Sequence, residues 1–139
     1  MFTVERHVGR LVEARVHQLE NRAAGDAYFT AITAAVVDVP TTQRAVICAD
    51  HRPVIIYPPA VADRLVELFT SVNKRVERAA LIVARSNATV SLQIQRIVRE
   101  SDNAFRRVFY DVAQAQAFLS EILSGAERAR VKRFLSGTM

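Results

Sequence analysis

Hydrophobic and polar residues alternate from Phe2 to Glu5 and again from Leu11 to His17, where Val12, Ala14 and Val16 oppose Glu13, Arg15 and His17. A period of two over that length predicts two strands, each with one buried face. Gly9 lies between them, where a tight turn favours a residue tolerant of positive φ, so the chain is expected to open with a β-hairpin. From Ala23 to Val37 the period lengthens. Ala24, Tyr28, Ala31, Ile32, Ala35 and Val36 recur at the spacing of an amphipathic helix, which Pro40 ends.

The run Ala45-Val46-Ile47-Cys48-Ala49 has no polar alternation and closes with Asp50-His51-Arg52. Such a run fits a strand covered on both faces, as in parallel sheets. Pro58-Pro59 introduces a helix whose stripe is Val61, Leu65, Leu68 and Val72, since Pro is tolerated in the first turn. Ala79 to Ala84 repeats the buried strand, and Asn87 reads as the N-cap of a helix lined by Val90, Ile94 and Ile97. Phe105 to Tyr110 is the fifth predicted strand. Asp111 to Gln114 resembles a capping box ahead of the stripe Ala115, Phe118, Leu119, Ile122 and Leu123. Ser124 to Glu127 is a fuller box before a last short helix carrying Val131, Phe134 and Leu135. After the hairpin, strands and helices alternate, which implies right-handed parallel crossovers. The expectation is one α/β domain over 1–139, with a mixed five-stranded sheet covered by helices and an extra C-terminal helix.

Composition narrows the class. A chain of 139 residues suits one domain, and 50% hydrophobic with 24% charged residues is a globular mixture. One cysteine excludes a disulfide framework and a zinc ribbon. No apolar run approaches the ~18 residues of a membrane span, and the N-terminus lacks a signal-peptide layout, so a cytoplasmic protein is expected. The net charge of +5 comes from the second half of the chain. That imbalance suits an anionic partner or simply a solvated, Arg-rich helix surface.

Candidate chemistry is sparse. Asp50, His51 and Arg52 follow the third strand at its carboxyl end, where open α/β sheets place ligands; they serve there as partner anchors or as a locally paired turn. Val54-Ile55-Ile56-Tyr57 is an apolar run in a connecting loop. Exposed, Ile55, Ile56 and Tyr57 make a docking patch; burial over the sheet end is favoured, because exposed runs of this kind aggregate. The spacing allows Arg85, Arg96, Arg99, Arg106 and Arg107 to converge as a basic patch. Aromatics do not interleave with the basic residues as stacking platforms do, and no helix-turn-helix spacing stands out, which argues against nucleic acid. The last helix sets Arg128, Arg130, Lys132 and Arg133 around its apolar residues and is expected to pack on the domain. His7, His17 and His51 show no metal-ligand spacing, and Cys48 reads as a core residue. Phosphate-cradling glycine loops and a Gly-x-Ser-x-Gly elbow are lacking. No catalytic residue, metal or cofactor is therefore predicted.

The hairpin Val4–Val16 around Gly9, the strand ending at Asp50, the strand Ala79–Ala84 with its long helix, and the closing Arg107-Val-Phe109-Tyr-Asp111 run before Ala115–Leu123 together resemble the STAS domain. This is the SpoIIAA-like fold of bacterial anti-sigma-factor antagonists, and the likeness is greatest to its uncharacterised bacterial branch. It covers roughly residues 3–123 and leaves the helix at about 125–136 outside the minimal domain. The resemblance implies a regulatory module that binds another protein, with a phosphorylatable Ser or Thr at the start of the helix after the third strand. This chain departs from that pattern: after Thr42 the next Ser or Thr is Thr70, and Tyr57 is the only hydroxyl between Asp50 and Pro59. Homodimerisation through the first strand, as a free sheet edge, is a further expectation. The alternative is a small-ligand sensor for a nucleotide or lipid-like molecule at the same sheet end. Phosphopeptide mapping after exposure to an anti-sigma Ser/Thr kinase should find no modified residue between Asp50 and Pro59.

Overall fold

A computed structural model describes residues 1–137. Its strands are β1 (Phe2–Glu5), β2 (Leu11–Val16), β3 (Ala45–Asp50), β4 (Val76–Ile82) and β5 (Arg106–Phe109). The helices are α1 (Arg22–Asp38), α2 (Pro59–Val72), α3 (Ala88–Glu100), α4 (Val112–Ser120) and α5 (Gly125–Ser136), and a 3-10 turn covers Asn73–Arg75. The sheet runs in sequence order, β1-β2-β3-β4-β5. β1 is antiparallel to β2, and every later pair is parallel. This is the α/β layout read from the sequence.

The order decides where the helices go. Each parallel step moves one strand in the same direction, so right-handed crossovers bring α1, α2 and α3 to one face. There Val12, Ala14, Ile47, Ala49 and Leu81 pack with Tyr28, Ile32, Leu65, Leu68 and Ile94. No strand follows α4 or α5, and these helices cover the opposite face, where Leu11, Val46, Cys48 and Ala80 meet Leu119, Val131 and Phe134. All six residues of β3 are buried, which explains its unbroken apolar run.

Local signals behave as their chemistry requires. Gly9 has φ +57, and a Cβ there would run into the Glu127 carboxylate. Asn21, Asn87 and Asp111 each cap a helix through the side chain, and Ser124 and Glu127 form the reciprocal capping box. Several boundaries differ from expectation: β4 stops at Ile82 and not at Ala84, β5 at Phe109 and not at Tyr110, and α4 ends at Ser120, before Ile122 and Leu123. β4 begins at Val76, three residues early: Val76 pairs with Ala45 and Arg78 with Val46, and the register shift between them leaves Glu77 as the extra residue of an irregularity that breaks the apolar pattern. β5 excludes Phe105, since Asp102 takes a positive φ of 53 and the Asn103 side chain accepts from the Phe105 N–H.

Three polar contacts seat α5 along β2. The Arg10 N–H donates to Glu127 Oε2 at 2.8 Å. Arg130 grips Glu13 with two bonds of 2.6 and 2.8 Å. Arg15 donates to the Phe134 carbonyl at 2.9 Å and stacks 4.4 Å from the Phe134 ring centroid. Glu13, although charged, is only 1% exposed in the middle of a strand. The helix that lies outside the minimal domain of the resemblance therefore neutralises a buried carboxylate of the sheet. Among the described residues no helix is long and apolar enough to cross a membrane. Arg130→Ala strands the Glu13 charge and should lower unfolding free energy by about 2–3 kcal/mol. The pair Glu13→Leu with Arg130→Met, measured by the same urea melts, should recover much of that loss.

Candidate functional site

The carboxyl ends of the parallel strands form the rim where sequence reasoning placed Asp50, His51 and Arg52. Asp50 is fully buried there. Arg52 folds back on it, with Nε 2.9 Å from Oδ1, Nη2 3.0 Å from Oδ2 and the backbone N–H 3.0 Å from Oδ1. Arg15, the residue opposite Asp50 on β2, adds a bond from Nε to Oδ2 at 3.0 Å. Burial by itself pushes the Asp50 carboxyl up, but the bonds from Arg52 and Arg15 outweigh it and hold the group below its ordinary value. Asp50 is thus an ionised brace with both oxygens engaged.

His51 turns to the other face of the sheet, as the strand period dictates. It is fully buried between two tyrosines, with ring centroids 6.4 Å from Tyr28 and 5.9 Å from Tyr57 and edge-on geometry to each. Nδ1 shares a hydrogen bond with the Tyr57 hydroxyl, and Nε2 is buried without a partner. Burial pushes His51 down to about 4, against the weaker upward pull of Asp50, so the ring is neutral at pH 7. The Tyr57 hydroxyl is pushed well up by burial. The pair is a neutral bond inside the core.

Tyr57 and Val54 point inward, whereas Ile55 and Ile56 are 74% and 49% exposed. The favoured expectation of a buried run is therefore corrected. Inward and outward residues divide the segment, because side-chain hydrogen bonds hold its backbone as a strap. Gln18 donates to the Ile56 carbonyl at 2.8 Å, and Asn87 donates to the Ile55 carbonyl at 2.8 Å. Gln93 closes a two-way pair on Tyr57, accepting from its N–H at 3.0 Å and donating to its carbonyl at 2.7 Å. Gln18 comes from the loop after β2, Asn87 from the N-cap of α3 and Gln93 from within the same helix. Sequence reasoning saw Asn87 only as a cap and missed both glutamines, since no spacing along the chain links them to residue 57.

The five arginines expected to form one basic patch do not. Arg106 and Arg107 are neighbours on a strand and so point to opposite faces. Arg106 is only 3% exposed. It donates to Asn73 Oδ1 at 2.7 Å, to Ser101 Oγ at 3.1 Å and to the Phe69 carbonyl at 3.2 Å. These acceptors stand where α2 and α3 end, so the cation meets the negative ends of two helices. Burial pushes Arg106 down to about 10, which leaves it protonated at pH 7. Arg107 lies across the sheet, 4.9 Å from the Phe118 ring centroid. Arg96 is paired with Asp63 and Glu100, Arg85 sits over Tyr110, and Arg99 is exposed on α3. Cys48 is buried, and burial pushes its thiol far up. Among the described residues no cluster of three His, Cys, Asp or Glu side chains could hold a metal.

The strand end has a pH signature. In the unfolded chain His51 ionises near 6.5, but in the folded chain only near 4. Between these values the unfolded state binds more protons, so stability falls as pH is lowered from 6.5 toward 4, by about 3 kcal/mol in all. Asp50 adds a separate loss only below its ordinary 3.8, because its folded value is depressed. Melting temperature followed against pH should show both, and His51→Gln should flatten the upper window alone.

A scan against protein-family models finds no match for the chain, and a search of curated proteins finds no relative.

Proposed function

We infer that the chain is a non-enzymatic, STAS-like protein-interaction module whose partner docks on the strap at the carboxyl ends of the strands. The observation that carries this reading is the pair Ile55 and Ile56. They are displayed to solvent at 74% and 49% exposure by a backbone that three side chains hold in place. Fixed apolar side chains lose little entropy on binding, which is what an interface anchor requires.

The state of the neighbouring groups supports the same conclusion. Asp50 has both oxygens engaged by guanidinium groups, and His51 is a neutral core residue, so neither is free to shuttle protons. The α/β layout with its leading hairpin is what the STAS resemblance implies. The absence of Ser or Thr between Asp50 and Pro59 favours docking that is not switched by phosphorylation in that loop. An enclosed small-ligand site is less well supported. The internal space beside Tyr28, Ile32 and Phe69 is about 10 Å³, the room of one water at most.

The test is capture from the native host by the full chain, followed by binding of each recovered protein to purified variants. Ile55→Asp and Ile56→Asp change exposed side chains and should leave the melting temperature within a few degrees of wild type. Each should weaken partner binding by roughly tenfold or more, as loss of an interface anchor does. A partner that binds both variants as tightly as wild type would remove the strap from the interface.

A further inference from the structure

At the other edge of the sheet, β5 borders a groove whose opposite wall is α4. The groove has a volume of about 310 Å³, and its lining includes Arg78, Phe105, Arg107, Phe109, Gln114 and Phe118. Phe105, Arg107 and Phe109 alternate along the chain, and the fold brings Arg78 from β4 and Phe118 from α4 beside them. Arg78 and Arg107 lie 4.8 and 4.9 Å from the Phe118 ring centroid. Phe105 is 50% exposed at the lower end. Arg78 is committed to the Phe118 carbonyl and Glu121, at 2.7 and 2.6 Å. Arg107 has no carboxylate partner among the described residues; its one bond is a long 3.5 Å contact to the Ala104 carbonyl.

The backbone of β5 is also open. Ala79 donates to the Phe105 carbonyl and Val83 to the Phe109 carbonyl, which places the odd-numbered residues of β5 on the ladder with β4. By the alternation of a parallel pair, the Arg106 carbonyl, both backbone groups of Val108 and the Tyr110 N–H point away from the sheet. That is a template for one more strand, running beside a groove able to take alternate side chains.

We propose that the β5 edge and its groove against α4 bind an extended acidic segment of a protein partner by strand addition, with Arg107 meeting its carboxylates and Phe105, Phe109 and Phe118 receiving an apolar side chain. This surface is distinct from the Ile55–Ile56 strap, so either can fail without the other. Charge complementarity selects the occupant. A second copy of the chain would bring β5 against β5, setting the exposed Arg107 of each copy on the same face of the joined sheet, an arrangement that like charges disfavour. Single-stranded nucleic acid needs open ring faces and several uncommitted cations. Here the Phe118 ring is already flanked by two guanidinium groups, and of the two groove arginines only Arg107 is uncommitted.

The probe is a fluorescein-labelled ten-residue peptide of alternating Glu and Val with one central Phe, titrated onto the full chain with amide NMR in parallel. Saturable binding is expected to move the Val108 and Tyr110 amides, to leave those of Ile55 and Ile56 in place, and to weaken with salt. The Lys-for-Glu peptide should not bind. Arg107→Glu, at an exposed position, should weaken binding roughly tenfold or more. Val108→Pro removes the outward N–H on an edge strand that tolerates Pro and should do the same. Absence of binding at millimolar peptide, equal binding by Arg107→Glu, or shifts confined to the strap would overturn the proposal. So would a dimer in sedimentation that Arg107→Glu abolishes, or tighter binding of an oligouridine at the same amides.

Discussion

The carboxylate of Asp50, buried at the end of β3 and held by Arg15 and Arg52, is the contact on which the upper end of the molecule depends. A lone carboxylate at that depth would be driven toward its neutral form; with two guanidinium partners it remains charged. Arg15 carries the constraint further, because the same side chain reaches the Phe134 carbonyl and ring of α5. Arg52 turns the chain back on itself, and the backbone leaves the sheet through His51 into the strap. Breaking either partner would leave charge buried without compensation, so strand end, C-terminal helix and strap are coupled.

Because Asp50 faces α5, His51 must face α1 and α2, and there it bonds Tyr57 inside the core. Tyr57 and Val54 then anchor the strap from below while Gln18, Asn87 and Gln93 hold its backbone from the sides. Every polar backbone group so engaged removes a reason for the segment to move, and Ile55 and Ile56 are left as a fixed outward pair. The proposed interaction role follows from that division of labour. Asp50 and His51, the polar residues at this strand end, are buried and bonded, whereas Ile55 and Ile56 of the apolar run are displayed.

Arginine is used in the same way elsewhere. Arg130 compensates Glu13 under α5, Arg106 sits where two helices end, and Arg10 ties Glu77 to the Ile122 carbonyl. A planar, always-charged group with several donors suits such joints better than lysine would, and the chain has only Lys74 and Lys132. In the basic second half, Arg75, Arg78, Arg106 and Arg130 are engaged in such joints. Arg107, on the groove side of β5, is among those left over.

The period of hydrophobic positions determined the elements, their order and the parallel run of the sheet. Those follow from local burial patterns that each strand or helix satisfies by itself, and the caps at Asn87, Asp111 and Ser124 are local for the same reason. Strand alternation alone requires Arg106 and Arg107 to face oppositely, a rule that the expected basic patch overlooked. Tertiary structure decided the rest. It set which of Val54, Ile55, Ile56 and Tyr57 turn outward, brought Gln93 to Tyr57, and paired Glu13 with Arg130 across 117 positions. It also gathered Arg78, Arg107 and Phe118 around one groove. Such contacts join residues whose separation along the chain has no bearing on their distance in space, so only the folded packing could specify them.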